Sequence, residues 1–141
     1  MQHTWKSLFR PGPLALLAAA TVAHAGSDGN ASKFVPVAEA VTLEATEFAF
    51  KPDKLSMPAD REITIRLKNE GVVAHNLIVV KGRDEEKRPK IESIQKGDTA
   101  ELTLRFADAG TYDFYCDVPG HKQAGMRGTI RVVPPGEFSA E

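Results

Sequence analysis

The sequence predicts an all-β fold, a Greek-key β-sandwich or barrel of about seven or eight strands. Three observations carry that expectation. Short stretches alternate apolar and polar residues with period two, as in Ile63-Thr64-Ile65-Arg66-Leu67 and Thr99 to Phe106 (TAELTLRF). Clusters of Gly, Pro, Asn and Asp separate those stretches at short intervals. No long amphipathic helical pattern competes with them.

The chain opens with a different kind of segment. Lys6 and Arg10 give a positive start without acidic residues, Leu14 to Val22 is a short apolar run, and Ala23-His24-Ala25 is a small-x-small cleavage pattern. Residues 1–25 therefore read as a secretory signal peptide, cut after Ala25. The apolar run is too short to span a bilayer with ease, so stable membrane insertion is not expected. The expected location is the periplasm, with a membrane tether as the alternative. Residues 26–40 are mostly small and polar, and read as a flexible segment ahead of a domain over residues 41–134.

Within that domain Val41 to Ala45 alternates, Phe48 to Phe50 follows, and Lys51-Pro52-Asp53 turns the chain. Leu55 to Met57 is a short strand ended by Pro58, with Met57 as core filler. Ile63 to Leu67 is a half-buried strand, and Asn69-Glu70-Gly71 a turn. His75 to Val80 (HNLIVV) is apolar enough for an interior strand. Arg83 to Gln95 is charged and lacks alternation, so it reads as an exposed excursion with a helical turn broken near Pro89. Thr99 to Phe106, Thr111 to Cys116 and Gly128 to Val133 are the remaining strands. Residues 135–141 form a loose tail.

Composition removes several classes of function. The net charge is -1, and no basic run is long enough for a nucleic-acid patch. The chain has one Cys, which excludes an internal disulfide, a CxxC motif and an all-cysteine metal site. Of the 4 His, His3 and His24 leave with the leader, so the mature chain keeps His75 and His121. A lone thiol in an oxidising compartment invites mispairing unless something occupies it. A metal is the simplest occupant.

The chemistry concentrates in Thr111 to Val133 (TYDFYCDVPGHKQAGMRGTIRVV), which contains Cys116-x4-His121-x4-Met126 on a loop between two strands. Pro119 and Gly120 supply a bend before His121, and Gly125 lets the backbone come close before Met126. Thiolate and thioether favour Cu(I), and imidazoles suit Cu(II); two His and one Cys with an axial Met form the blue-copper pattern. The loop supplies one His. His75, which opens an apolar strand, is the other histidine of the mature chain and completes the set. The candidate metal ligands are therefore His75, Cys116, His121 and Met126, for a single copper ion.

These same residues resemble the cupredoxins, the type 1 blue copper family. Phe114-Tyr115-Cys116-Asp117-Val118-Pro119-Gly120-His121, with Gly125-Met126, is similar to the copper loop of plastocyanin-like and auracyanin-like members. Ala74-His75-Asn76 resembles their first-histidine segment. The Cys-to-His gap is longer than in plastocyanins proper and looks like that of auracyanins and of azurins, although azurins have a His-to-Met gap one residue shorter. The resemblance implies the ligand roles above, and a supporting role for Asn76, whose amide would tie the His75 strand to the Cys116 loop and tune the sulfur. It further implies an electron carrier and not an enzyme. Such a carrier is a monomer that meets redox donor and acceptor proteins transiently through an apolar rim of Val118, Pro119 and Gly125, with Asp117, Lys122 and Arg127 biasing partner choice. The alternatives are a periplasmic copper-binding protein for delivery or storage, and one part of a multicopper enzyme. Copper stores use many Met or His, multicopper enzymes carry further His-rich sites, and this chain has neither.

Overall fold

The computed structural model describes residues 33–81 and 88–141. The signal-peptide expectation for residues 1–25 lies outside the described residues. What is described belongs to one compact unit, Ala31–Glu141.

Ten strands are present among the described residues: β1 Val35–Pro36, β2 Ala40–Thr46, β3 Ala49–Lys51, β4 Lys54–Pro58, β5 Glu62–Asn69, β6 His75–Val80, β7 Lys90–Ile94, β8 Thr99–Arg105, β9 Gly110–Tyr115 and β10 Arg127–Val133. They form two sheets, ordered β1-β4-β10-β9-β6-β7 and β3-β2-β5-β8. The expected all-β sandwich is borne out. The period-two pattern explains why: Ile63, Ile65 and Leu67 of β5 point inward while Arg66 and Lys68 stay in water.

Inward residues of both sheets make one core. Leu43, Phe50, Ile65 and Leu67 come from one sheet, and Leu55, Met57, Leu77, Phe114, Ile130 and Val132 from the other. Phe114 is fully buried at its centre. Gly128 makes room for it, since a Cβ there would lie 2.2 Å from Phe114 Cζ. Truncating Phe114 to Ala would destabilise the fold by about 3–5 kcal/mol. Met57 is buried in the same core, as expected.

The structure departs from the sequence reading in three places. The sheets are mixed, because β1–β4, β4–β10 and β2–β5 pair in parallel. Residues 26–40 were expected to be flexible, yet Val35–Pro36 pairs with β4 and Val37 is buried. Val37 anchors this stretch by donating its N–H to the Ser56 carbonyl at 2.8 Å. The expected excursion over Arg83 to Gln95 contains a true strand, β7, paired with β6. Its two isoleucines, Ile91 and Ile94, stand three apart and hide the alternation. The β6–β7 register shifts between His75 and Leu77, and that irregularity lets both isoleucines meet the core.

Candidate metal centre

Sheet register brings the two predicted segments to one end of the sandwich. In the antiparallel β6–β9 pair, Ile78 stands opposite Tyr115 and Val79 opposite Phe114. Extending that register puts Asn76 beside Asp117 and the start of β6 beside the loop that leaves β9. Residues 116–126 are this loop, and β10 closes it.

The loop is held by its own backbone. Cys116 N–H donates to the Met126 carbonyl at 3.1 Å, and Met126 N–H to the His121 carbonyl at 2.9 Å. His121 N–H donates to the Val118 carbonyl at 3.0 Å. Gly120 and Gly125 have φ of 87° and 111°, a left-handed region that side chains resist. Gly125 is therefore needed for its φ and not for a close approach: a Cβ there would meet only the Phe48 carbonyl, at 3.9 Å.

The His75 side is built otherwise. Asn69 occupies the fourth inward position of β5 and is fully buried. Its Nδ2 donates to the carbonyls of Val73 (2.8 Å) and Ile94 (3.1 Å). Its Oδ1 accepts from Gly71 N–H at 2.9 Å, which makes the expected turn at 69–71 an Asx turn. One buried amide thus shapes the arch that leads into His75.

His75, Cys116 and His121 converge. Their candidate donor atoms all lie within 4.8 Å of one another. Cys116 Sγ is 3.6 Å from His121 Nδ1, and the two imidazole centroids are 5.1 Å apart. His75 and Cys116 are fully buried, and His121 is 8% exposed. Met126 is fully buried at the end of the same loop. In a trigonal site with metal–donor bonds of about 2.0–2.3 Å, donors stand roughly 3.5–4 Å apart. The separation of sulfur and His121 nitrogen fits.

Both ring nitrogens of His75 are buried without a hydrogen-bond partner. Such groups are rare in folded proteins, because desolvation is unrepaid. A ligand that accepts a nitrogen lone pair resolves this. Burial pushes the His75 pKa below its ordinary value, His121 pushes it the same way, and Glu47 opposes them. The neutral, metal-binding form is therefore favoured. One thiol and two imidazoles, with the Met126 thioether on the same loop, are donor types that suit copper.

Asn76 bonds twice to Asp117. Its Nδ2 donates to Asp117 Oδ1, and its Oδ1 accepts from Asp117 N–H at 3.0 Å. This pair ties the His75 strand to the residue after Cys116. Of the expected rim, Pro119 and Gly125 are exposed, while Val118 packs partly against the core. The larger exposed apolar groups were not anticipated. Phe48 is 48% exposed and meets the His121 ring edge-on at 5.3 Å, and Val72 (70%) and Val73 (43%) lie in the arch. Lys122 sits 3.7 Å over the Tyr115 ring, next to Cys116. Asn69 and Glu47 were also missed. Alternation through β5 points to Asn69, whereas nothing local singles out Glu47.

The family model for the cupredoxin-like domain matches residues 13–132, and the chain belongs to that family. Among curated relatives it is 27% identical to auracyanin-B of Chloroflexus aurantiacus over 144 positions, 82% of this chain and 61% of that protein. It is 44% identical to the copper-resistant cuproprotein CopI of Pseudomonas aeruginosa over 46 residues, 33% of this chain and 25% of CopI. The chain thus spans about three fifths of the first relative and a quarter of the second. Among solved structures, auracyanin A, a "blue" copper protein of Chloroflexus aurantiacus, aligns with a TM-score of 0.61 at 28% identity, covering 70% of this chain and 99% of that one.

Proposed function

We propose that this chain is a type 1 copper protein that shuttles single electrons between redox partner proteins. The observation that carries this reading is the convergence of His75, Cys116 and His121 in a buried cluster where both His75 nitrogens lack partners. His75, Cys116 and His121 would hold the copper, with Met126 as a further, weaker donor. Copper bound there supplies a one-electron couple. The chain's part is to hold the donors still. The 116–126 loop is fixed by backbone hydrogen bonds and clamped to the His75 strand by Asn76, so little of the protein needs to rearrange when charge changes.

A buried four-donor set leaves no open position for a substrate, which favours a carrier over an enzyme. His121 is the donor nearest solvent, and electrons enter or leave beside it. Exposed Phe48, against the His121 ring and beside Gly125, offers an apolar contact there, with Asp117, Lys122 and Arg127 as charged selectors. Small, transient encounters between a monomer and its partners follow from such a contact. Residues 1–25 are a cleaved signal peptide that delivers the chain to the periplasm. Among the described residues no helix is long and apolar enough to cross a membrane.

A second reading has one observation in its favour. The CopI match covers a short segment at high identity, so a role in copper handling is the alternative. The two differ in exchange. The test is to add Cu(II) to the mature chain and record visible and EPR spectra through reduction and reoxidation. The carrier reading expects one copper per chain, an intense thiolate-to-copper band that bleaches and returns, and slow loss to a chelator. Rapid copper loss to the chelator would favour handling, and no band at all would remove copper.

A further inference from the structure

A second residue stands behind His75. Gly71 has no left-handed φ, so backbone freedom does not explain it. Space does. A Cβ built on Gly71 would fall 2.7 Å from Glu47 Oε1 and 2.8 Å from His75 Nε2. Real Cβ atoms do not tolerate either contact, so the glycine leaves a gap that the carboxylate and the imidazole share. The two atoms are separated by no more than the sum of those distances. Glu47 Oε1 is held in place by Val72 N–H, which donates to it at 2.5 Å. Nε2 is buried and unpartnered. With Nε2 turned toward this gap, Nδ1 is the nitrogen left for Cys116 and His121.

We propose that Glu47 is the positioning residue for His75: its carboxylate takes the Nε2–H, directly after a small side-chain rotation or through one water in the gap beside Gly71, and so fixes the tautomer that presents Nδ1 to copper. This rests on the copper reading above. A metal-binding histidine needs its second nitrogen anchored, and a carboxylate anchor makes the imidazole a stronger donor. A stronger donor favours Cu(II) over Cu(I). Glu47 thus holds the copper potential down.

The rival explanation is that Glu47 merely caps the Val72 N–H. Two variants separate these. Glu47→Gln keeps an oxygen for the cap but loses the charge. Gly71→Ala keeps the carboxylate but wedges a methyl between it and His75. Both are purified as the mature chain and loaded with Cu(II). Cu(II) affinity is measured against a competing chelator, the potential by redox titration, and melting of the metal-free form by circular dichroism.

The expected result is a loss of Cu(II) affinity of about tenfold in both variants. If Cu(I) affinity is unchanged, that tenfold corresponds to a rise in potential of about 59 mV. Metal-free Glu47→Gln should melt like wild type. Wild-type affinity and potential in both variants, with the blue band intact, would overturn the role of Glu47 and leave the copper reading standing. A wild-type chain that takes up no copper would overturn both.

Discussion

Two regions hold the proposed donors, and they are built on opposite plans. The loop over residues 116–126 supplies Cys116, His121 and Met126 from one short segment, and apart from the Asn76–Asp117 pair it is held by backbone-to-backbone bonds within itself. The arch over residues 69–75 supplies His75 alone. It is shaped by side chains: its own Asn69 at the base, Glu47 from the β2–β3 turn, and the adjoining Asn76 reaching across to Asp117. A loop held chiefly by its own backbone is tied to chemistry, whereas an arch held by side chains is tied to the fold. Substitutions in the loop should therefore change the copper signal first, and substitutions in the arch should change stability and tuning first.

The largest effect expected is from Cys116→Ser. An oxygen cannot replace the sulfur charge transfer, so the intense visible band disappears; a band that persists would break the assignment of the loop. Asn69→Ala comes next, and should do the reverse. It strips three hydrogen bonds from a fully buried site, and the unpaired groups left behind destabilise the fold by about 2–3 kcal/mol. Chemical denaturation measures this, and loss below about half a kcal/mol would mean that the arch stands without Asn69. Met126→Leu should keep copper and raise the potential, because an electron-donating axial group is lost. An unchanged spectrum and potential would remove Met126 from the site.

How much of this was legible follows the same division. The 116–126 loop could be read directly, because three donor types at fixed spacing within one segment leave a local signature. His75 was reached by elimination, and Asn76 through the resemblance of Ala74-His75-Asn76 to the family's first-histidine segment. The arch's supports left almost no trace. Asn69 looked like an ordinary turn residue, although alternation through Ile63, Ile65 and Leu67 carries it to an inward position. Glu47 and Gly71 act together across twenty-odd residues of chain, and no period or spacing links them. Parallel strand pairing was invisible for a similar reason, since it depends on which distant strands meet. The strand β7 was missed because a register shift placed its two isoleucines three apart.

Two smaller effects sharpen the contrast. Asn76→Ala removes both bonds to Asp117 and should cost about 1 kcal/mol of stability while shifting the potential; an identical potential would leave Asn76 purely structural. The metal-free protein should also respond to pH through His75. Its pKa is lowered in the fold by burial, so its contribution is fully present above the ordinary imidazole value of about 6.5 and is lost as pH falls through the lowered one. Melting temperature should drop on acidification from about 6.5 down to the lowered value, and His75→Asn should flatten the drop.

The most direct test of the account is an anomalous difference map at the copper edge, from crystals of the mature chain grown with Cu(II). The account predicts one peak per chain, bounded by His75 Nδ1, Cys116 Sγ and His121 Nδ1, with Met126 Sδ as the fourth neighbour. A peak elsewhere, or a peak at Cys116 with the His75 ring turned away, would contradict it.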